Sequence, residues 1–226
     1  MNVLGIETAT AVCAAALVRR GSVAAESLLD AGRIHAEKLM SQIAAVLGPD
    51  GLESLGGVAV SIGPGSFTGL RIGVSVAKGI AFARGIPLVG VPTLEALALH
   101  AAEADHAPPG TRLLTALDAR RDEVYCQLFE VTEGGPAALW DARDMTLGAL
   151  MDELHGSPAR VAGEAAAKVI SWPGAAPALR MVSEEALRSN GGSVALLGER
   201  LLLAGKGDDP SALEPRYIKD FFLKTR

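Results

Sequence analysis

The sequence is poor in aromatic residues, cysteine and basic charge, and each shortage excludes a class of protein. Aromatic residues are 4% of the 226 residues, so the core must be built from alanine, valine, leucine and glycine. The two cysteines, Cys13 and Cys126, lie far apart in strand-like runs, which excludes a disulfide framework or zinc knuckle and fits a reducing cytoplasm. The net charge of -5 argues against autonomous nucleic-acid binding, which needs a basic face.

Membrane-spanning runs and an export signal are also missing from the pattern. The apolar stretch at residues 194–204 is too short to cross a bilayer and contains Glu199 and Arg200. The opening segment MNVLGIETAT has no basic region and is typical of a strand, not of a signal peptide. We therefore expect a cytoplasmic protein that makes no membrane contact, with a substantial core supplied by 49% hydrophobic residues.

The most informative stretch, residues 57–90, predicts a strand, a glycine turn, a helix and a second strand. The Gly-Pro-Gly turn at residues 63–65 cannot continue the first strand. Ser66 or Thr68 can cap the helix that follows, and Gly85 stands where a left-handed C-terminal cap belongs. Short links at both ends make this a right-handed βαβ unit.

A glycine turn before a helix can also hold a phosphate group, because free N–H groups and the helix dipole attract anions. Here Gly63, Gly65 and Gly69 do not have the spacing of a dinucleotide fingerprint. No Gly-Lys-Ser/Thr sequence follows, which excludes a P-loop. A tight structural turn and a phosphate cradle both stay open as interpretations.

The two halves of the chain repeat one order of elements around a Pro-Pro-Gly boundary at residues 108–110. Each half begins with three strand-like segments, and the first strand ends at an acid, Glu7 or Asp118. This repetition predicts an α/β protein of two duplicated RNase H-like lobes, each βββαβα, which is the actin-like ATPase fold of actin, heat-shock chaperones and sugar kinases. The predicted parts are an N-terminal lobe (residues 1–106), to which the family resemblance described below assigns dimerisation, a C-terminal lobe (residues 111–211), and a tail that packs back or contacts a partner (residues 212–226).

Such a duplication places a cleft between the halves, with one acid on each side. Glu7 and Asp118 can coordinate a metal or act as general bases across this cleft, or they can simply cap turns. ATPases of this fold usually show Asp-x-Gly-Thr at the first turn, whereas this chain has Glu-Thr-Ala-Thr, and the missing glycine removes a close backbone approach to phosphate. The candidate nucleotide or cleft residues are Glu7, Thr8, Gly63, Gly65, Ser66 and Asp118.

No catalytic constellation is evident from residue spacing. None of the four histidines pairs with another histidine, a cysteine or an acid at metal-ligand spacing on one helix face. Ser66 lies in Gly-Pro-Gly-Ser-Phe and not in the G-x-S-x-G elbow of a hydrolase. We therefore predict neither catalytic residues nor a metal site.

Several motifs together resemble the TsaB (YeaZ) family, the partner subunit in bacterial biosynthesis of threonylcarbamoyladenosine in tRNA. They are LGIETAT at residues 4–10, GRIH at 32–35, SIGPGSFTGLRIGVSVAKGIAF at 61–82, GIPLVGVPTLEAL at 85–97 and PRYIKD at 215–220. The resemblance covers nearly all of the first half and the tail, whereas residues 130–209 are not distinctive.

The resemblance implies a non-catalytic paralogue of TsaD, the catalytic subunit. TsaD places two metal-binding histidines, His-x-x-x-His, on the helix after the corresponding strand, and those positions fall here at Thr93 and Leu97. Neither residue supplies the iron or zinc ligand that such a site needs, so the resemblance implies that the fold was kept and the metal centre was lost.

The implied role is that of a scaffold or activator in the complex that adds threonylcarbamoyl to adenosine 37 of ANN-decoding tRNAs. This chain would heterodimerise with a TsaD-like subunit, and a TsaE-like ATPase would join the pair. The resemblance implies that this chain has no cofactor, because the partner subunits handle ATP. It also implies that the chain contacts tRNA only through the complex.

In the family, small-sided helices of the N-terminal lobe pack against the catalytic paralogue, and a homodimer through the same surface is plausible when the chain is alone. The corresponding helices here are residues 35–47 and 70–84. The predicted interface residues are His35, Leu39, Ile43, Leu70, Arg71, Val74, Ala77 and Lys78. The alternatives are a weak ATPase that uses Glu7 and Asp118, and a glycopeptidase-like protease, for which neither metal ligands nor a triad is present.

Overall fold

The computed structural model of the chain describes residues 1–30 and 35–218, and its two β-sheets follow the two halves of the sequence. The first sheet has the strand order β3-β2-β1-β4-β5. Its strands are β1 (Asn2–Glu7), β2 (Val12–Arg19), β3 (Ser22–Asp30), β4 (Gly57–Gly63) and β5 (Leu88–Pro92). The first three strands form an antiparallel meander, and β4 and β5 extend it in parallel from β1.

Three helices alternate with the strands of the first half in the order βββαβαβα, which contains the predicted βββαβα and adds β5 and the third helix. They are α1 (His35–Leu47), α2 (Phe67–Arg84) and α3 (Thr93–Ala104), with a 3-10 segment at Gly48–Ser54 after α1. The predicted caps of α2 are confirmed, since the Ser66 hydroxyl accepts a hydrogen bond from the Gly69 N–H at 3.3 Å and Gly85 has a φ of 61°. Of the GRIH motif, residues 32–34 lie outside the described residues, as does the tail from residue 219.

The second sheet repeats the topology of the first. Its strands are β6 (Arg112–Asp118), β7 (Glu123–Thr132), β8 (Gly135–Ala138), β9 (Arg143–Thr146), β10 (Ala159–Ala162) and β11 (Leu179–Met181), and its order is β11-β10-β6-β7-β8 with β9 also paired to β7. The remaining helices are α4 (Leu147–Leu154), α5 (Ala166–Ile170) and α6 (Gly191–Leu203). The predicted duplication is confirmed, because β1 and β6 each lie between an antiparallel and a parallel neighbour and end at Glu7 and Asp118.

Two helices cross between the halves. Helix α6 comes from the second half but packs on the first sheet, where Val194 joins a buried cluster with Val3 and Ala59. The approach is close, because a Cβ at Gly198 would collide with the Ala59 side chain. Helix α3 comes from the first half and packs on the second sheet. The segments 1–106 and 111–211 therefore each supply a helix to the other segment's sheet.

The chain after α6 runs along the edge of the first sheet, and we call residues 205–218 the strap. The Asp208 N–H donates to the Leu88 carbonyl at 2.8 Å, and the Asp208 carboxylate accepts from the Gly90 N–H at 2.7 Å. Leu213 is buried in the first core, and the Arg216 N–H donates to the Ile62 carbonyl at 2.6 Å. The strap therefore covers the outer edge strand, β5. Within residues 1–30 and 35–218, none of the helices has both the length and the apolar composition to cross a membrane.

Candidate functional site

A cavity of about 1110 Å³ lies between the two halves. Its walls are the turn between β1 and β2, the first turn of α2, the turn between β6 and β7, and the end of the strap. Of the six predicted cleft residues, Gly65, Ser66 and Asp118 line this cavity, whereas Glu7, Thr8 and Gly63 do not. β1 and β4 are parallel neighbours in the first sheet, so the turns that follow them meet at one edge of that sheet. The turn after β6 reaches the same cavity from the second sheet.

Glu7 is fully buried beneath the turn that it precedes. Its Oε1 accepts a hydrogen bond from the Ala9 N–H at 2.5 Å, and its Oε2 has no hydrogen bond of normal geometry within the described ranges. Burial raises the pKa of Glu7 to about 7, and the Ala9 N–H and the Ser61 hydroxyl oppose part of that rise. A side chain held in this way stabilises the turn and does not reach a ligand in the cavity.

Thr8 and Gly63 serve internal packing. A Cβ at Gly69 would collide with the Thr8 carbonyl oxygen, and a Cβ at Gly73 would collide with the Thr8 hydroxyl. Gly63 lies under the strap, with the Arg216 carbonyl oxygen 2.6 Å from the position that a Cβ would take. These glycines let two stretches of backbone approach each other closely.

Asp118 is exposed at the cavity wall and organises the turn after β6. Its Oδ1 accepts a hydrogen bond from Lys168 Nζ at 2.6 Å and another from the Arg120 N–H at 3.3 Å. The Asp118 N–H donates in turn to Glu164 Oε1 at 3.4 Å. Burial raises the pKa of Glu164, and the Asp118 N–H opposes part of that rise. This network favours the turn-capping interpretation of Asp118 over a free carboxylate.

The predicted fold implies a nucleotide, and three of the backbone donors in the turns at the cavity are engaged within the chain. In the first turn the Ala9 N–H donates to Glu7, and in the second turn the Arg120 N–H donates to Asp118. The Ser66 N–H, at the start of α2, donates to the Ala9 carbonyl at 2.6 Å. These three backbone donors are therefore already used within the chain, and they give the weak-ATPase alternative no support.

The protease alternative gains no support either. His35, Ser66 and Asp118 all line the cavity, yet each is engaged elsewhere. The His35 ring lies 3.1 Å from the Val12 carbonyl through Nε2, the Ser66 hydroxyl caps α2, and Asp118 pairs with Lys168. A nucleophile and its base must share a hydrogen bond, and these three side chains are tied to other groups.

The most informative cavity residues missed by sequence analysis are basic. Arg120 and Arg121 line the cavity from the tip of the turn after β6, and Arg216 lines it from the strap. A signal for the first two was present, since an arginine pair directly follows Asp118 at a predicted turn. Arg216 could not have been placed there, because its position depends on the path of the strap.

Six of the eight predicted interface residues are buried, which corrects the predicted contact surface. They are His35, Leu39, Ile43, Leu70, Val74 and Ala77. Leu39, Ile43 and Val74 share one core cluster with residues of β1 and β2, because they form the inward stripes of α1 and α2. These side chains hold the helices on the sheet and are not available to a partner.

The other two predicted interface residues contact the strap. Arg71 Nε donates to the Tyr217 hydroxyl at 3.1 Å, and its guanidinium lies 3.9 Å from the centre of the Phe67 ring. Lys78 Nζ donates to the Ser211 carbonyl at 3.4 Å. Both cations therefore fix the C-terminal segment against α2.

The exposed sides of α1 and α2 carry a different set of residues, which we call the outer helix face. It consists of Met40 and Ala44 on α1 and of Ser75, Gly79 and Phe82 on α2. Phe82 is 86% exposed and Met40 is 52% exposed. Two large apolar side chains among small residues give this face the character of an interaction surface.

Comparisons with known proteins agree with this architecture. A family model described as "TsaD: tRNA N6-adenosine threonylcarbamoyltransferase" matches residues 14–180. The protein of Escherichia coli (strain K12) named "tRNA threonylcarbamoyladenosine biosynthesis protein TsaB" is 34% identical over 166 residues, or 73% of this chain and 69% of that protein. The chain belongs to the TsaB family.

Solved structures place this TsaB chain in the same fold group. "YeaZ from Pseudomonas aeruginosa" superposes with a TM-score of 0.82 at 25% identity, over 96% of this chain and 99% of that chain. A ROK hexokinase from Thermus thermophilus superposes with a TM-score of 0.50 at 14% identity, over 91% of this chain and 100% of that chain, which concerns the fold alone. The predicted actin-like ATPase fold is confirmed.

Thr93 and Leu97 have structural roles in this TsaB chain. The Thr93 hydroxyl accepts a hydrogen bond from the Gly63 N–H at 3.1 Å and is buried. Leu97 is buried in an apolar cluster with Leu94 and Leu117. Both side chains thus face the interior at the start of α3.

Proposed function

We propose that this chain is a non-catalytic subunit in the biosynthesis of threonylcarbamoyladenosine in tRNA, and that it acts by heterodimerising with a TsaD-like catalytic subunit. The observation that carries this proposal is the state of Thr93 and Leu97 in a chain of the TsaB family. A hydroxyl that binds a backbone amide and a leucine in the core replace the side chains that a metal centre would require there.

The outer helix face is the surface that the heterodimer would use. Phe82 is the most exposed large apolar residue in the part of the chain that the structure describes, and covering such a side chain with a partner is energetically favourable. Gly79 has no atom within 4 Å of the position of a Cβ, so a partner helix can approach α2 closely at that point. A second copy of this chain could cover the same face in a homodimer.

The remaining partners follow from the same role. A TsaE-like ATPase would join the heterodimer, and ATP would be bound by the partner subunits, so this chain would need no cofactor of its own. tRNA would be bound only by the assembled complex, in keeping with a net charge of -5. The complex would work in the cytoplasm, where tRNA is modified.

Reconstitution with a charged substitution on the outer helix face tests the proposal. Phe82→Asp introduces a charge at a position that is 86% exposed, so the fold should survive while partner binding and threonylcarbamoyl transfer are lost. Leu203→Asp is the matched control, because Leu203 is 70% exposed on α6, away from that face. A substitution at Val74 would be uninformative, since that side chain lies in the core.

Binding is measured by analytical ultracentrifugation and transfer by incorporation of labelled threonine into tRNA. We expect the intact chain and Leu203→Asp to bind and to activate, and Phe82→Asp to do neither while its thermal unfolding stays unchanged. Equal transfer with and without this chain would overturn the activator role. Unimpaired binding by Phe82→Asp would overturn the assignment of the outer helix face.

A further inference from the structure

A local concentration of arginine at the cavity mouth stands out in a chain of net charge -5. Arg120 and Arg121 form the tip of the turn after β6, and Arg216 faces them from the strap across the same cavity. We call these three residues the basic rim. All three are exposed, so their charges lie at the entrance of the cavity and not in its depth.

The two turn arginines are held in place by the backbone of the turn. Both have positive φ angles, 76° for Arg120 and 50° for Arg121, in the left-handed region that such residues rarely adopt. The turn is fixed by the hydrogen bond from the Arg120 N–H to Asp118 and by another from the Ala119 N–H to the Glu123 carbonyl at 3.2 Å. Neither guanidinium makes a hydrogen bond or ion pair with a described residue. Uncommon backbone angles that present unpaired charge are a feature of binding turns.

Asp118, Asp122, Glu123 and Glu164 lie near the rim and compensate part of its charge. Asp118 already pairs with Lys168, and Glu164 Oε1 accepts a hydrogen bond from the Asp118 N–H. Burial raises the pKa of Glu95, and the positive charge of Arg216 opposes part of that rise. The charge of Arg216 is therefore partly compensated by Glu95. The net attraction for an anion therefore comes mainly from Arg120 and Arg121.

A partly exposed aromatic pair lies at the same entrance. The rings of Phe67 and Tyr217 stack with centroids 5.4 Å apart and an interplanar angle of 29°. Arg71 covers Phe67 and binds the Tyr217 hydroxyl, which holds both rings in place. A fixed aromatic surface beside arginines is the combination that binds single-stranded nucleic acid, because arginine binds phosphate and bases stack on rings.

We propose that the basic rim binds phosphate groups of the tRNA substrate once this chain is assembled with its TsaD-like partner. This inference rests on the proposed function, since a chain of this charge would hold RNA weakly when alone. Arginines at the entrance suit a polymer that passes over the cavity. A free nucleotide would instead have to enter, and there the Ala9 and Arg120 N–H groups of the turns are already used.

The double variant Arg120→Ser/Arg121→Ser tests the rim in the reconstituted complex. The matched control is Arg19→Ser/Arg20→Ser, a second arginine pair at a strand turn, in which Arg20 also has a positive φ of 52°. That pair lies at the opposite end of the first sheet, at the turn between β2 and β3. The affinity of each complex for tRNA is measured by fluorescence anisotropy over a series of salt concentrations.

We expect the rim variant to bind tRNA roughly tenfold more weakly and to lower the slope of log affinity against log salt by about 1 to 2, because two phosphate contacts are lost. The control should stay within about twofold of the unmodified complex, because it removes no RNA contact. A purely structural effect of the substitutions would shift thermal unfolding and heterodimer formation, and we expect both to be unchanged.

The outcomes separate this inference from the function on which it rests. If the heterodimer does not form, the proposed function fails and the rim assignment falls with it. If the heterodimer forms and the rim variant binds tRNA with unchanged affinity and salt slope, the rim assignment alone is overturned. If the rim variant keeps tRNA but loses binding of ATP to this chain, the arginines serve a nucleotide and the RNA assignment is overturned.

Discussion

Glu7 combines two properties that a free carboxylate would not have. It is fully buried at the end of β1, and one of its oxygens lacks a hydrogen bond of normal geometry within the part of the chain that the structure describes. Burial raises its pKa from 4.5 to about 7, so the carboxyl group is largely protonated in the folded chain at mildly acidic pH. Its role is to hold the first turn, which forms one wall of the cavity.

The raised pKa of Glu7 predicts a pH-dependent loss of stability. Between pH 4.5 and about 7 the unfolded chain ionises Glu7 more readily than the folded chain does, so the free energy of unfolding falls by about 3 kcal/mol as pH rises through this window. Glu7→Gln keeps an acceptor for the Ala9 N–H and cannot ionise. We expect the free energy of unfolding of Glu7→Gln, relative to that of the unmodified chain, to increase by about 3 kcal/mol between pH 4.5 and about 7.

Urea unfolding at a series of pH values checks this expectation. Glu37→Gln is the control, because it removes a carboxyl group at an exposed position on α1. The other titrating groups contribute equally to Glu7→Gln and to the unmodified chain, so they cancel in the difference between the two free energies of unfolding. If the stability difference between Glu7→Gln and the unmodified chain is the same at every pH, the burial argument for Glu7 is wrong.

Helix α2 has two sides with different roles, although small residues occur on both. Gly69 and Gly73 face the first turn, where the backbone and hydroxyl of Thr8 leave no space for a Cβ. Gly79 faces outward on the outer helix face and has free space around it. Sequence analysis predicted that the small-sided helix packs against a partner, whereas the structure divides its small residues between the core and the outer helix face.

A pair of glycine substitutions on α2 tests this division. Gly69→Ala should lower the free energy of unfolding by about 2 to 3 kcal/mol, because the new methyl group collides with the Thr8 carbonyl and the backbone must move. Gly79→Ala should raise it by about 0.5 to 1 kcal/mol, because alanine is favoured inside an exposed helix. Chemical denaturation of both variants measures the sign of each change in the free energy of unfolding. Equal changes in the two variants would contradict the assignment of Gly69 to the core side of α2 and of Gly79 to its outer side.

The exchange of α3 and α6 between the halves governs the behaviour of the whole molecule. Each sheet is covered by a helix from the other half of the sequence, and the strap then returns to the edge of the first sheet. Neither half has its complete core without the other. The chain should therefore unfold in a single transition although its sequence is duplicated.

A fragment of residues 1–106 tests this cooperativity. Without α6 it exposes the apolar sheet face that contains Val3, Ala59 and Val89, so we expect no cooperative unfolding transition and strong binding of a hydrophobic dye. The full chain should show one transition by circular dichroism and by fluorescence. A fragment that unfolds cooperatively would show that the predicted domain boundary at residue 106 is also a boundary of stability.

The order and type of the main elements were predictable from local signals. Alternating apolar residues, the Gly-Pro-Gly turn and the caps at Ser66 and Gly85 act over a few neighbouring residues, so sequence patterns reveal them directly. The same is true of the repeated meander, whose first strand ends at Glu7 in one half and at Asp118 in the other. Short elements such as β11 and α5 were missed because three to five residues carry too little periodicity.

Contacts between distant residues could not be inferred in this way. Periodicity shows that Leu39 and Val74 belong to apolar stripes of their helices. It does not show whether such a stripe packs on the sheet or on a partner. In the structure both stripes pack on the first sheet. The placement of Arg216 beside Arg120 likewise depends on the path of the strap. Local chemistry therefore determines the elements of this chain, whereas its exposed helix face and its basic rim follow from burial and chain path, which depend on the whole fold.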